Sequence, residues 1–89
     1  MRITIQTVVF ANDIRSVILK LAEECGTEKT FGASDVARAV DQKNWKVLRD
    51  QVKLVAGVLI HEGKIIATRS GKIIDSNHMN GSLRFRKPI

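Results

Sequence analysis

The clearest hydrophobic pattern in the chain is an apolar stripe that repeats every three or four residues through its middle third. The stripe consists of Trp45, Leu48, Val52, Val55, Ala56 and Leu59. This spacing places apolar side chains on one face of an α-helix. Asn44 offers a side-chain oxygen for the free amides that open the helix, and Gly63 is the residue type that ends helices. The pattern therefore predicts a long helix between Asn44 and Gly63.

Two shorter helical patterns precede it. The first carries Ile14, Val17, Ile18 and Leu21, and the second carries Val36, Ala37 and Val40. Asn12-Asp13 supplies cap chemistry before the first pattern and Gly26 ends it, which predicts a helix over about 13–25. Ser34 is expected to cap the second helix, over roughly 34–41, with Asp35 in its first turn.

Residues 1–11 alternate apolar and polar at Ile3 and Ile5, and their β-branched character predicts an N-terminal strand. Such a strand needs a partner, either an internal sheet edge or another subunit. Thr30-Phe31 is long enough for a β-bridge only.

A β-rich end follows Gly63. One arrangement pairs 64–69 with 82–87 as an antiparallel hairpin with a long tip. The other places a tight turn at Ser70-Gly71, with Lys72–Asp75 as the return strand. The element order in either case predicts an α+β, mostly α, winged helix-turn-helix: three helices, a β-hairpin wing and an extra N-terminal strand. Residues 1–12 form the extension and residues 13–87 the winged-helix domain.

Length and composition narrow the class of protein. Eighty-nine residues make one domain with one core. No apolar run approaches the ~18 residues of a spanning helix, and residues 8–10 are too short for a signal peptide, so we expect a cytoplasmic protein with no membrane partner. The single cysteine, Cys25, is interpreted as small buried filler.

The net charge of +6 is distributed unevenly. Residues 1–42 hold five basic and six acidic side chains, which makes −1, whereas residues 43–89 hold ten basic and three acidic side chains, which makes +7. Such asymmetry within one small domain indicates a side that faces a polyanion.

Several separate motifs follow one another along roughly 14–87. They are Ser34-Asp35-Val36-Ala37-Arg38-Ala39-Val40, Trp45-Lys46, Leu48, Val52-Lys53, Gly63-Lys64-Ile65, Thr68, Gly71-Lys72, Asp75 and Gly81-Ser82-Leu83-Arg84-Phe85-Arg86-Lys87. In this order and spacing they resemble a family of small bacterial proteins of unknown function in the winged-helix superfamily. Members usually have Pro before the Ser of the second helix, where this chain has Ala33. The resemblance implies the fold and assigns no biochemical role.

The candidate nucleic-acid-binding residues lie on the second and third helices and on the wing. They are Arg38, Lys43, Lys46, Arg49, Lys53, Arg69, Lys72, Arg84, Arg86 and Lys87. In DNA-binding winged helices the third helix enters the major groove and the wing contacts the backbone or minor groove. Arg49 is the best candidate for a bidentate contact to guanine. Two alternatives to DNA contact remain. The basic residues of the third helix can form an ordinary solvated helix face, and those of the wing can protect an exposed sheet edge from aggregation.

Other chemistries find little support in the chain. Trp45 is interpreted as a core anchor, as are Phe31 and Phe85, which leaves no exposed aromatic platform for single-stranded nucleic acid. His61 and His78 are seventeen positions apart with no metal-binding motif around them. We therefore predict no metal, no cofactor, no small-molecule substrate and no enzymatic activity.

Two functions follow as hypotheses. The first is a double-stranded DNA-binding domain, a small bacterial transcriptional regulator or accessory factor. The alternative is a protein-interaction module, homodimerising or partner-binding, with residues 1–11 as the pairing strand.

Overall fold

The computed structural model describes residues 2–79 and 81–89, with side chains from Ala11 onward. Its elements are α1 (Arg2–Cys25), β1 (Phe31–Gly32), α2 (Ala33–Val40), α3 (Trp45–His61), β2 (Ile66–Arg69), β3 (Lys72–Ile74) and β4 (Arg84–Arg86). Three helices and an antiparallel sheet make an α+β fold that is compatible with the predicted winged helix. No helix among the described residues is long and apolar enough to cross a membrane.

The predicted N-terminal strand is not confirmed, because α1 begins at Arg2 and continues through the expected cap at Asn12-Asp13. The sequence of this segment also fits a helix, since Ile5, Val8 and Val9 are three and four positions apart. Each β-branched residue destabilises a helix by only about a few tenths of a kcal/mol relative to alanine. Extending an existing helix also needs no new nucleation step.

The N-terminus of α2 is capped by a different residue from the one expected. The helix begins at Ala33, one position before Ser34, and Gly32 is its N-cap. The carboxylate of Asp35 accepts a hydrogen bond from the Gly32 backbone amide at 2.8 Å. Asp35 therefore satisfies a free amide at the helix start, and the prediction that Ser34 is the cap is wrong.

The turn between α2 and α3 is organised by Asp41. Its Oδ1 accepts hydrogen bonds from the backbone amides of Lys43 at 3.0 Å and Asn44 at 3.2 Å. Asn44 is the N-cap of α3, as predicted, but makes no side-chain cap hydrogen bond. Its Nδ2 donates instead to Asp41 Oδ2 at 3.1 Å. These hydrogen bonds from Asn44 and Lys43 hold the pKa of Asp41 below its usual value.

The sheet has the strand order β1-β4-β2-β3 and is antiparallel throughout. Both predicted arrangements of the wing therefore form together, because β2 pairs with β4 on one side and with β3 on the other. Ser70 and Gly71 both have positive φ, 54° and 81°, in the two-residue turn between β2 and β3. This conformation suits the twist of a tight hairpin.

The core lies where the helices meet one face of the sheet. Its buried members are Ile14, Ile18, Ala22, Phe31, Val36, Ala37, Leu48, Val52, Ala56, Leu59, Ile65, Ala67, Leu83 and Phe85. Phe31 and Phe85 are confirmed as core residues, with ring centroids 5.7 Å apart. Cys25 is only half-buried and packs against the edge of this core. The core fixes the position of α3 relative to α2 and β4.

Candidate nucleic-acid interface

A cleft of about 370 Å³ lies between the start of α2, the first half of α3 and the region around β4. Four cationic side chains from three elements line it: Arg38, Arg49, Lys53 and Arg84. Asp35 is the one carboxylate in the lining. We call this cleft, defined by these five residues, the basic cleft. The structure thus brings together cations that are up to 46 positions apart in the chain, from Arg38 to Arg84.

Arg84 is held at one wall of the basic cleft by neutral oxygens. Its Nε donates to Thr30 Oγ1 at 3.1 Å, and its Nη2 donates to the Thr30 carbonyl at 3.2 Å. Its Nη1 lies 3.9 Å from Asp35 Oδ2. The guanidinium also crosses Gly32 so closely that a Cβ there would lie 2.8 Å from Nη1. Gly32 therefore leaves room for the observed position of Arg84.

Trp45 organises the cations of the two helices. The guanidinium carbon of Arg38 lies 4.2 Å from the centre of the indole ring, and that of Arg49 lies 5.7 Å from it. The ammonium of Lys46 is also 5.7 Å away. Trp45 packs against the core as predicted, but it is only half-buried. Its second role as a cation platform was missed, because the sequence alone does not place Arg38 beside α3.

Lys53 closes the side of the cleft near the β3–β4 connection. Its Nζ donates to the carbonyl oxygen of Gly81 at 3.1 Å. Arg69 lies next to the same glycine, with Cδ 3.6 Å from the position of a Gly81 Cβ, and donates to the His78 carbonyl at 3.3 Å. Arg69 therefore lies at the rim of the basic cleft, outside its lining.

Hydrogen bonds also shape the β3–β4 connection. Asp75 Oδ1 accepts from the backbone amide of Asn77 at 2.9 Å and lies 2.7 Å from Nδ1 of His78. These contacts, with that to His78 the larger, lower the pKa of Asp75. His78 is thereby held close to the loop that carries Gly81.

The remaining predicted site residues lie elsewhere. Lys87 pairs with Glu23 of α1 at 3.0 Å. Lys72 is exposed beside the β2–β3 turn, and Lys43 is exposed in the turn before α3. Arg86 is half-buried on β4, and its Nη1 is buried with no hydrogen-bond partner among the described residues. None of these four side chains lines the basic cleft.

The basic cleft carries a surplus of positive charge. Within the described part of the chain, neither Arg38 nor Arg49 forms an ion pair with a carboxylate. The Asp35 carboxylate is shared between the Gly32 amide and the edge of Arg84. Guanidinium groups bind phosphate and carboxylate oxygens through paired hydrogen bonds. The arrangement is suited to binding an anionic group.

An exposed apolar stripe on the other flank of α3 was not predicted. Val47, Leu54 and Val58 leave 78%, 73% and 53% of their surface exposed. They are seven and four positions apart, which is a helical spacing that the sequence already contains. A shallow, mainly apolar cavity of about 470 Å³ adjoins Leu54 and Val58, with Met79 in its lining. The stripe is thus an exposed apolar face of α3, separate from the buried face of Leu48, Val52, Ala56 and Leu59.

The comparisons with known proteins identify a family whose function is not assigned. Residues 11–88 match the model of a family described as "Protein of unknown function (DUF3253)". No curated protein matches the chain. The matched region contains every lining residue of the basic cleft.

Proposed function

The chain belongs to the DUF3253 family of proteins of unknown function, and we propose that it binds double-stranded DNA through the basic cleft and the adjoining wing. The observation that carries the proposal is the convergence of Arg38, Arg49, Lys53 and Arg84 on one cleft. Three of these cations form no ion pair within the described residues, so they retain their charge for an external anion. Phosphate contacts of this kind supply most of the sequence-independent affinity for DNA.

The geometry of α3 supports contact with a duplex. Lys46, Arg49 and Lys53 are three and four positions apart, on the flank of α3 that borders the cleft and the Trp45 ring. In winged helices that bind DNA, the corresponding helix enters the major groove. Arg49 is exposed, and in this proposal its guanidinium contacts the duplex from the basic cleft.

The wing extends the same basic surface. The Ser70-Gly71 turn joins β2 to β3 and has Arg69 and Lys72 on either side of it. Lys72 is exposed and carries charge to the tip of the hairpin, where a wing contacts DNA backbone. Arg69 instead reaches back to the His78 carbonyl at the rim of the basic cleft. Arg86 and Lys87 are assigned no direct contact, because one is half-buried and the other is paired with Glu23.

In this proposal the protein is a cytoplasmic, non-enzymatic regulator or accessory factor. The test is fluorescence anisotropy with a short labelled duplex at about 50 mM and about 200 mM salt. The logarithm of the binding constant should fall linearly with the logarithm of the salt concentration, and each phosphate contact contributes about −0.9 to that slope. Arg49→Ala combined with Lys53→Ala should weaken binding and make the slope shallower. The single variants Arg49→Ala and Lys53→Ala each remove one charge, as does Lys20→Ala at an exposed lysine of α1, which is their matched control and should leave both the binding and the slope unchanged.

Binding that is weak at low salt and shows no salt slope would overturn the proposal. If the cleft variants and Lys20→Ala lose the same DNA affinity, net charge alone attracts the DNA and the cleft is not part of the interface.

Self-association is the second candidate function, and the exposed stripe of Val47, Leu54 and Val58 favours it. A second copy of this chain is the occupant we assign to it, in an antiparallel α3–α3 contact. The stripe lies on a different flank of α3 from Arg49, but Lys53 lines both the basic cleft and the apolar cavity beside the stripe. A contact through the stripe therefore borders the basic cleft. A dimer of this kind presents two basic clefts, as proteins that read paired half-sites do.

A further inference from the structure

We infer that the basic cleft is a binding site for a single dianionic phosphomonoester group. Two sources supply this chemistry: the 5′-terminal phosphate of a DNA end, and the phosphate of a small molecule. The inference deepens the proposed function and rests on it only for the first source. It adds that the cleft binds a terminal phosphate more tightly than a phosphate within a continuous strand.

The shape of the cleft favours a terminal group. The cleft is concave, with a volume of about 370 Å³ and walls supplied by α2, α3 and the region around β4. This volume lies in the lower range of small-molecule pockets, about 300–1,000 Å³. A phosphodiester in a continuous strand is flanked by two sugars on a convex surface. A phosphomonoester projects from its sugar and can enter between such walls.

The charge of the cleft favours a dianion. Arg84 and Asp35 are close enough to offset one another in part, with Nη1 and Oδ2 3.9 Å apart. Arg38, Arg49 and Lys53 then remain as three positive charges with no ion-pair partner among the described residues. A phosphodiester brings one negative charge, whereas a phosphomonoester brings about −1.5 to −2 at neutral pH. The monoester therefore balances the cleft more fully.

The cations are also held in place without being neutralised. Arg38 and Arg49 lie against the Trp45 ring, Lys53 is bound to the Gly81 carbonyl, and Arg84 is bound to Thr30. An aromatic face and neutral oxygens position a cation but leave its charge for a ligand. A site whose groups are already ordered binds its ligand with a smaller entropic cost.

Two pairs of probes, each added to the full chain, test this inference. The first pair is one labelled duplex with either a 5′-phosphate or a 5′-hydroxyl, compared by anisotropy. The second pair is methyl phosphate, a dianionic monoester, and dimethyl phosphate, a monoanionic diester. The fluorescence of Trp45, the single tryptophan of the chain, reports binding of the small probes, because two cations of the cleft lie against its ring.

We expect the 5′-phosphorylated duplex to bind about tenfold more tightly than the 5′-hydroxyl duplex. We also expect methyl phosphate, but not dimethyl phosphate, to change the Trp45 fluorescence. Lys53→Gln should reduce the preference for the 5′-phosphorylated duplex and the preference for methyl phosphate. Lys72→Gln, at the hairpin tip and outside the cleft, should leave both preferences unchanged. Circular dichroism of each variant checks that it is folded.

The outcomes separate the two proposals. A preference for methyl phosphate with no difference between the duplexes supports the site and assigns it to a small molecule. Equal binding of both duplexes, with methyl phosphate no better than dimethyl phosphate, overturns this inference and leaves DNA binding in place. If no duplex binds, the proposed function falls, and the methyl phosphate result alone decides this inference. If Lys53→Gln keeps the wild-type preference for the phosphomonoester probes, the basic cleft is not the binding site.

Discussion

The guanidinium carbon of Arg38 lies 4.2 Å from the centre of the Trp45 ring, so a cation of the basic cleft on α2 meets the first residue of α3. Arg49, one turn further along α3, lies 5.7 Å from the same ring. A cation over an indole face is stabilised without a counter-ion. The contact therefore joins the two helices and keeps the cleft positively charged.

Replacement of Trp45 tests this relationship. We expect Trp45→Leu to lower the free energy of unfolding by about 1–2 kcal/mol, because the ring is half-buried against the core. DNA affinity should fall as well, since Arg38 and Arg49 lose the surface that positions them. Trp45→Phe keeps an aromatic face and should retain more of both properties. Urea unfolding and anisotropy measure the two effects; equal affinities of the Leu and Phe variants would contradict the role of the ring.

Gly32→Ala tests the position of Arg84. The added Cβ would lie 2.8 Å from Nη1, the far end of a flexible side chain, so the guanidinium should move while the fold is kept. We expect a loss of stability of about 1 kcal/mol, because Ala is a poorer N-cap than Gly, together with weaker DNA binding. In a double-mutant cycle with Arg84→Ala, the two losses of affinity should be clearly non-additive. Strict additivity would mean that the two changes act independently.

Phe85→Ala tests the core that supports the cleft. Phe85 is fully buried, packs on Phe31 and lies between Arg84 and Arg86 on β4. Its truncation should cost about 3–5 kcal/mol, because it removes buried area and leaves a cavity. Ile73→Ala, whose side chain is 65% exposed, is the control and should cost far less. Urea unfolding measures both, and comparable losses would contradict the assigned core.

Leu54→Glu tests self-association through α3. Leu54 is 73% exposed, so the substitution should change stability by no more than about 0.5 kcal/mol. If the wild-type chain is a dimer through this stripe, a charge at its centre should make it monomeric. Sedimentation velocity over a range of concentrations measures the change, with Lys20→Glu as a control of the same final residue. A wild-type monomer at all concentrations would exclude this contact.

Acidification should destabilise the fold through three carboxyl groups. The pKa values of Asp41, Glu62 and Asp75 are lowered, chiefly by hydrogen bonds from Asn44, Arg15 and His78 respectively. A carboxyl whose pKa is lower in the folded state stabilises the fold at pH values above its unfolded pKa, about 4. This contribution is lost as the pH falls through the lowered folded value.

Thermal melts between neutral and strongly acidic pH measure this loss. Glu62→Gln removes one of the three groups and its ion pair with Arg15, which is 2.8 Å long. The variant should therefore lose less stability than the wild type over the same acid range. An identical loss in both proteins would show that Glu62 does not contribute to the pH dependence.

The local elements were largely predictable because their signals lie close together in the chain. The periodic stripes of α2 and α3 and the turn at Ser70-Gly71 depend on neighbouring residues, and each lies where the pattern indicated. The two failures at helix starts have local causes too. Residues 2–12 fit both a strand and a helix, and either Ser34 or Asp35 can satisfy the first amides of α2.

The amino-acid sequence by itself thus determined the second half of α1, the helices α2 and α3, the β-rich end, the core aromatics and the concentration of positive charge after residue 42. Only the tertiary structure decided which charges act together. It brought Arg38, Arg49, Lys53 and Arg84 around one cleft and paired Lys87 with Glu23 far along the chain. The reason is physical: hydrophobic periodicity specifies which face of an element is buried, whereas the neighbours of an exposed cation depend on how separate elements pack.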